Sequence, residues 1–372
     1  MSGRRLVSWA SMRPAIALAG GLLIWAAGAT GGAASTPASP SAAQGSAAPA
    51  GVGNAARPVP SQPATCSLSQ QLQSLRVALH RGSPALKRYL RRQLREQAHA
   101  VPESELRAAL QHESEPEMIE ELSGALSARM ARLSQPSALR APLQRAQLDA
   151  DPAARAAALR GLRGTGSVDA MAGLGFDYVQ FARDSAPAVR QAVVGNLLAE
   201  SAEVFHGHDR AVSEKAIAVA LAMRTGPAAD PGQAAQLLSK ISTESVSHSA
   251  VAELLSLLDA PLSDSPAELR AAVVMALGGV PASEAAVVRE ALLSHYRRDK
   301  DYEVRRAVLE ALCHLFMAAA VPMLDGLRSV DSSLGPEIQA WQRALASGLQ
   351  EWSLVLREKQ RLAPATALSP TQ

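Results

Sequence analysis

A chain of 372 residues with a formal net charge of +3 carries too little positive charge to point to nucleic acid. Aromatic residues make up 3 % and apolar residues 48 %, so any core is built from alanine and leucine. That composition suits close helix packing and argues against β-sheet, whose strands favour β-branched and aromatic residues. Two cysteines, Cys66 and Cys313, are too few for a disulfide framework. They can form one bridge; alternatively Cys313, beside Leu312 in a helical pattern, packs as a small buried thiol.

Arg4, Arg5 and Arg13 precede a run of small and apolar residues from Pro14 to Ala34, richest at Leu22-Leu23-Ile24-Trp25. A basic start, an apolar middle and small residues near Ala29 and Ala34 describe a secretory signal peptide over 1–34. The apolar run also approaches the length of a membrane span, so a retained anchor is the alternative. Arg4-Arg5 resembles a twin-arginine start, but Leu6-Val7-Ser8 continues it poorly. Residues 35–65 are almost all Ala, Pro, Ser and Gly with one charge, Arg57, a composition that cannot offset its own ordering entropy and predicts a disordered linker. The expected location is therefore periplasmic or extracellular, or membrane-anchored with the folded part outside the cytoplasm.

From 66 to 362 helical patterns follow one another, and 363–372 reads as a disordered tail. One sentence recurs, in which an acid stands six places before an arginine that opens an apolar stripe. Asp149 leads to Arg155, Asp184 to Arg190, Asp264 to Arg270 and Asp299 to Arg305. Arg155 and Arg190 are 35 residues apart, as are Arg270 and Arg305, with 80 between the two pairs. A unit is therefore hidden between them, and Asp230-Pro231 with Gln236 fits it, the arginine lost. Glu113 before Ile119, Arg81 before Lys87, and Gln339 after Arg305 extend the spacing to about eight units, and self-similarity at this period marks a stacked repeat. Counted from the residue before each arginine, buried places fall at 0, +3, +4, +7 and +8, one face of a helix. Positions +3 and +7 are mostly small (Ala157 and Gly161, Ala192 and Asn196, Ala272 and Ala276, Ala307 and Ala311), which lets neighbouring helices approach. Pro152, Pro187 and Pro266 suit a first helical turn, and Asp or Ser before them can cap it.

These residues resemble the HEAT-repeat family, including its lyase-type bacterial variants, over Ala150 to Leu315 and more weakly outside. The resemblance implies an all-α fold, an α-solenoid of about eight antiparallel helix pairs. It also implies a ladder in which Arg155, Arg190, Arg270 and Arg305 each reach an acid of a neighbouring unit, with Asp149, Asp184, Asp264 and Asp299 as its carboxylates. Such a ladder is structural, so these charges are poor catalytic candidates. The resemblance further implies a concave side lined by the second helices, where Arg160, Gln191, Met275, Arg306 and Glu310 would face a partner.

Other constellations weigh less. The spacing between Arg190 and Gln236 contains an insertion at Phe205-His206-Gly207-His208-Asp209-Arg210. His206, His208 and Asp209 can ligate a metal if another helix supplies a further ligand; a polar, glycine-hinged surface loop is the plainer reading. HEAT-like deoxyhypusine hydroxylases bind iron with several His-Glu dipeptides, whereas this chain has one, His112-Glu113. No G-x-S-x-G elbow or P-loop occurs. Gly161 to Gly166 reads as a helix end and turn. A basic run from Arg76 to Arg95 precedes an acidic one from Glu103 to Glu121, and the two can screen each other. Trp341 and Trp352 suit the sealing of a terminal unit. The expectation is an exported, non-enzymatic scaffold without a cofactor that holds a protein or peptide along its concave side, with no nucleic acid. The alternatives are a metal-binding protein or metalloenzyme using 205–210, and a structural part of an envelope assembly.

Overall fold

Proline and short polar side chains set where the helices start. In the computed structural model, which describes residues 67–164, 166–203 and 210–362, Ser67 forms a capping box with Gln70, and Ser83, Asp151, Asp177, Asp230, Ser247 and Asp301 each accept a backbone N–H of the helix they precede. Each such cap contributes about 1 kcal/mol. Pro152 and Pro187 open their helices as expected. Pro266 stands one place earlier, as the cap residue, and its carbonyl accepts the N–H of Arg270.

The helices run in chain order as α1 (Leu68–Arg81), α2 (Pro84–Gln97), α3 (Glu103–His112), α4 (Pro116–Leu133), α5 (Arg140–Leu148), α6 (Pro152–Arg160), α7 (Ser167–Gly173), α8 (Tyr178–Ala182) and α9 (Pro187–Glu203). They continue as α10 (Arg210–Arg224), α11 (Pro231–Leu238), α12 (His248–Asp259), α13 (Ala267–Leu277), α14 (Ala285–Arg298), α15 (Tyr302–Phe316), α16 (Val321–Val330), α17 (Gly335–Leu345) and α18 (Trp352–Leu362). No strand occurs among the described residues, and the fold is all-α. The N-terminal 1–34, the 35–65 segment, Cys66, the 206–209 cluster and the 363–372 tail lie outside the described residues.

Contacts follow chain order. α2 packs on α4, α4 on α6, α6 on α9, α9 on α11, α11 on α13, α13 on α15 and α15 on α17. Each helix of that row also packs on the helix just before it, α1 on α2, α3 on α4, and so on to α16 on α17. The stripe read from the sequence is the seam. Val304, Ala307, Val308, Ala311 and Leu312 are buried, as are Leu269, Ala272, Val273, Ala276 and Leu277, and the corresponding residues of α6 and α9. Small residues set the spacing at the seam: a Cβ on Gly161 would stand 2.4 Å from Ser123 Cβ and 2.5 Å from the Glu120 carbonyl oxygen. Gly164 and Gly166 adopt left-handed backbone at φ 71° and 66°, Gly164 in the turn after α6 and Gly166 as the residue that precedes α7, as their glycine run predicts.

Tyr302–Val330 is the one stretch among the described residues long and apolar enough to cross a bilayer. Met317, at φ 49°, divides it into α15 and α16, and α15 buries seven residues from Val304 to Cys313 in the seam. Cys313 is a buried thiol, pushed well above its ordinary range by burial and by Glu310 and Glu337.

Candidate functional site

The repeated arginines join successive turns. Arg155 donates from Nε and Nη2 to both carboxylate oxygens of Asp184, at 2.9 Å each. Arg190 reaches Asp230 at 3.1 Å, Arg270 holds Asp299 at 2.6 and 3.2 Å, and Arg305 holds Asp331 at 2.5 Å. The first three use Nη1 to close their own turn: Arg155 on the Asp149 carbonyl, Arg190 on the Asp184 carbonyl, Arg270 on the Ser265 carbonyl. One guanidinium thus pins two consecutive turns, a bidentate geometry that lysine could not reproduce. Asp230 and Asp331 are carboxylates of this series beyond the four acids of the repeated step. Asp149 departs from expectation: Arg145, one turn back on α5, binds it at 2.5 and 3.1 Å. The side chain of Asp264 lies outside the described residues.

Burial raises the pKa of Asp149, Asp184, Asp299 and Asp331, but hydrogen bonds outweigh it. Arg145, Arg155 and Arg270 supply them for the first three, Ser333 and Tyr296 for Asp331, and all four carboxyls lie below the ordinary value. His295, buried beside Asp299, is held neutral by burial and by Arg298 and Arg270, and burial lowers His314 as well. Stability is therefore expected to fall in two steps as pH drops. The first begins near the ordinary histidine value of 6.5, where the unfolded chain takes up protons that the folded His295 and His314 refuse. The second begins below the ordinary aspartate value of 3.8, as the four depressed carboxylates are protonated. Glu121 and Glu310, raised by burial, act in the opposite sense above 4.5, where the folded chain takes up protons first, and so offset the lower part of the first step. Urea unfolding from neutral pH downward measures both, and His295→Gln should shrink the upper step. A flat profile between pH 7 and 5 would show that neither histidine is held neutral by folding.

A buried polar cluster comes nearest to a nucleophile arrangement. Ser167 Oγ lies 2.6 Å from Tyr178 Oη and donates to Glu200, which also accepts the N–H groups of Ser167 and Val168. All three side chains are buried, and Glu200 caps the start of α7 from another helix. The cluster staples α7 to α9 and presents nothing to a substrate. Among the described residues no group of three metal-ligating side chains occurs.

The five residues expected on one partner-facing surface fall into three places. Arg160 and Gln191 line a groove of about 780 Å³ built from α6, α9 and α11, together with Arg163, Gln233, Gln236 and Lys240. Met275 lines a separate hollow of about 620 Å³ with His314 and Trp352. Arg306 and Glu310 are half-buried beneath α18, whose Lys359 bonds Glu337 at 2.6 Å and acts on Glu310. No protein-family model and no curated protein matches the chain. The arrangement itself is what bears on function.

In the α6–α9–α11 groove no carboxylate is among the described lining residues. Arg160 is paired with Glu120 of α4 at 2.7 Å, while Arg163 and Lys240 are exposed and have no side-chain partner among the described residues. Arg163 and Lys240 went unremarked in the sequence. No helical spacing marks them, because both stand in turns, Arg163 three residues past the end of α6 and Lys240 two past the end of α11.

Proposed function

We propose that the chain is an exported HEAT-like α-solenoid, a non-enzymatic scaffold that holds a protein partner along the face of its second helices. Chain-order packing of successive helix pairs supports the solenoid, as does the arginine step that ties each turn to the next. The observation that carries the functional reading is the open groove over α6, α9 and α11, lined by residues of these second helices and by Arg163 and Lys240 in the turns that follow α6 and α11. Its mixture of cations and amides suits a polar protein surface better than an apolar small molecule. The basic N-terminus followed by an apolar run supports export, and mass spectrometry of the mature N-terminus reads out cleavage directly.

A photo-crosslinking residue at Gln191, compared with one at the exposed first-helix residue Leu148, tests the scaffold in the producing cell. Recovery of a defined protein adduct from position 191 and not from 148 is the expected result. Equal labelling at both positions, or none at 191, would overturn the reading.

A further inference from the structure

The chain shows how a helix sits on its own second helices. Arg305 stands 115 residues after Arg190, and matching the two arginines lays Gln191, Gly195, Leu198 and Ala199 of α9 onto Arg306, Glu310, Cys313 and His314 of α15. On α15 that face is covered by α18. Trp352 stacks on His314 with ring centroids 4.5 Å apart and on Trp341 of α17 at 5.5 Å, Val355 is fully buried, and Lys359 reaches Glu337 while lying 5.0 Å over the Trp341 ring. Trp352, Val355, Leu356 and Lys359 follow the i, i+3, i+4, i+7 spacing of a single helix face. On α9 the matching face is the open groove. Gly195, in the place of Glu310, leaves room there for a side chain from outside.

The two seats differ in sign. Beneath α18 lie Glu310 and Glu337 against one cation, Arg306, 3.8 Å from Glu337, and Lys359 of α18 supplies the second positive charge. Around the groove lie Arg163 and Lys240, with Arg160 already paired to Glu120 of α4 and no carboxylate among the described lining. The α18 sequence, with Arg357, Lys359 and Arg361 against Glu358, is therefore the wrong charge for the groove. From this repeated face with inverted charge, we infer that the groove over α6, α9 and α11 seats an amphipathic helix of a partner protein whose outer positions carry carboxylates, laid across the second helices as α18 lies across α15 and α17. Carboxylates of that helix meet Arg163 and Lys240, and the amides of Gln191, Gln233 and Gln236 donate to carboxylate oxygens left over. This inference rests on the scaffold reading and adds the chemistry of the partner.

The probe is a fluorescein-labelled peptide of the 352–362 sequence, held helical by a side-chain staple because so short a helix does not persist alone in water. One version is unmodified; the other carries R357E, K359E and R361E. With the full chain, anisotropy is expected to show the acidic peptide binding about tenfold tighter than the basic one, a preference that added salt weakens. The exposed-site variant R163E/K240E should reverse the order, and Gln191→Trp, which fills the groove without changing charge, should weaken binding of the acidic peptide. Far-UV circular dichroism confirms that both variants are folded. Tighter binding of the basic peptide by the parent chain would overturn the inference and point to α18 of a second copy as occupant. An unchanged preference in R163E/K240E would overturn it too. If position 191 still crosslinks to a protein after either failure, the scaffold stands and the acidic helix falls. If the peptide preference holds and nothing crosslinks, the scaffold reading is the part that fails.

Discussion

Arg270→Met is expected to lower the unfolding free energy by about 3–5 kcal/mol, the cost of leaving one partner of a buried pair without the other. Asp299 is 1 % exposed and takes two hydrogen bonds from Arg270, at 2.6 and 3.2 Å. The same guanidinium holds the Ser265 carbonyl at 2.5 Å, so its loss loosens the turn before α13 as well as the turn before α15. His295, 3.2 Å from the Asp299 carboxylate, is a poor substitute because burial keeps it neutral. A second replacement, Asp299→Leu, removes the orphaned charge. The double variant should recover much of the loss, since an apolar pair in place of a buried ion pair is often neutral or stabilising. Urea unfolding followed by circular dichroism measures both. A loss below about 1 kcal/mol in Arg270→Met would mean that water reaches Asp299 and that the pair is a surface contact.

Leu312→Ala is expected to cost about 2–5 kcal/mol, because Leu312 is fully buried and its removal leaves a cavity that neighbouring helices cannot fill without moving. Two residues earlier on the same helix, Glu310→Gln should change stability by no more than about 0.5 kcal/mol. The sequence places Glu310 on a solvated face; the structure puts it half-buried under α18. The forecast survives for a different reason. Burial already pushes the Glu310 carboxyl toward its neutral form, against the pull of Lys359, so a neutral amide of the same shape loses little. Similar costs at both positions would place the seam on the wrong side of α15.

The stripe of small and branched residues was readable because a helix has a fixed period and a shared seam demands the same face from every unit. The arginine step was readable for a related reason, since a side chain that must reach the next turn has to start from the same place each time. Asp331 escaped because its own unit lacks the arginine six places on: Glu337 stands there, facing Lys359. Asp149 was misread because Arg145, i–4 on its own helix, competes with any arginine arriving from a neighbour, and local pairing carries the smaller ordering cost. The outward residues were the least legible. Arg160, Gln191, Met275, Arg306 and Glu310 occupy comparable helix positions, yet one cluster lines an open groove and another is roofed by α18.

By itself, then, the sequence determined that the chain is helical, where its apolar faces lie and which arginines repeat, because these depend on periods of a few residues and on local chemistry. Only the tertiary structure decided which aspartate each arginine holds, which part of the second-helix face stays open, and what charge surrounds it. Those are set by contacts between residues about thirty or more positions apart, such as Arg155 with Asp184 and Trp352 with His314, and no local pattern records which of several equivalent faces a terminal helix will cover.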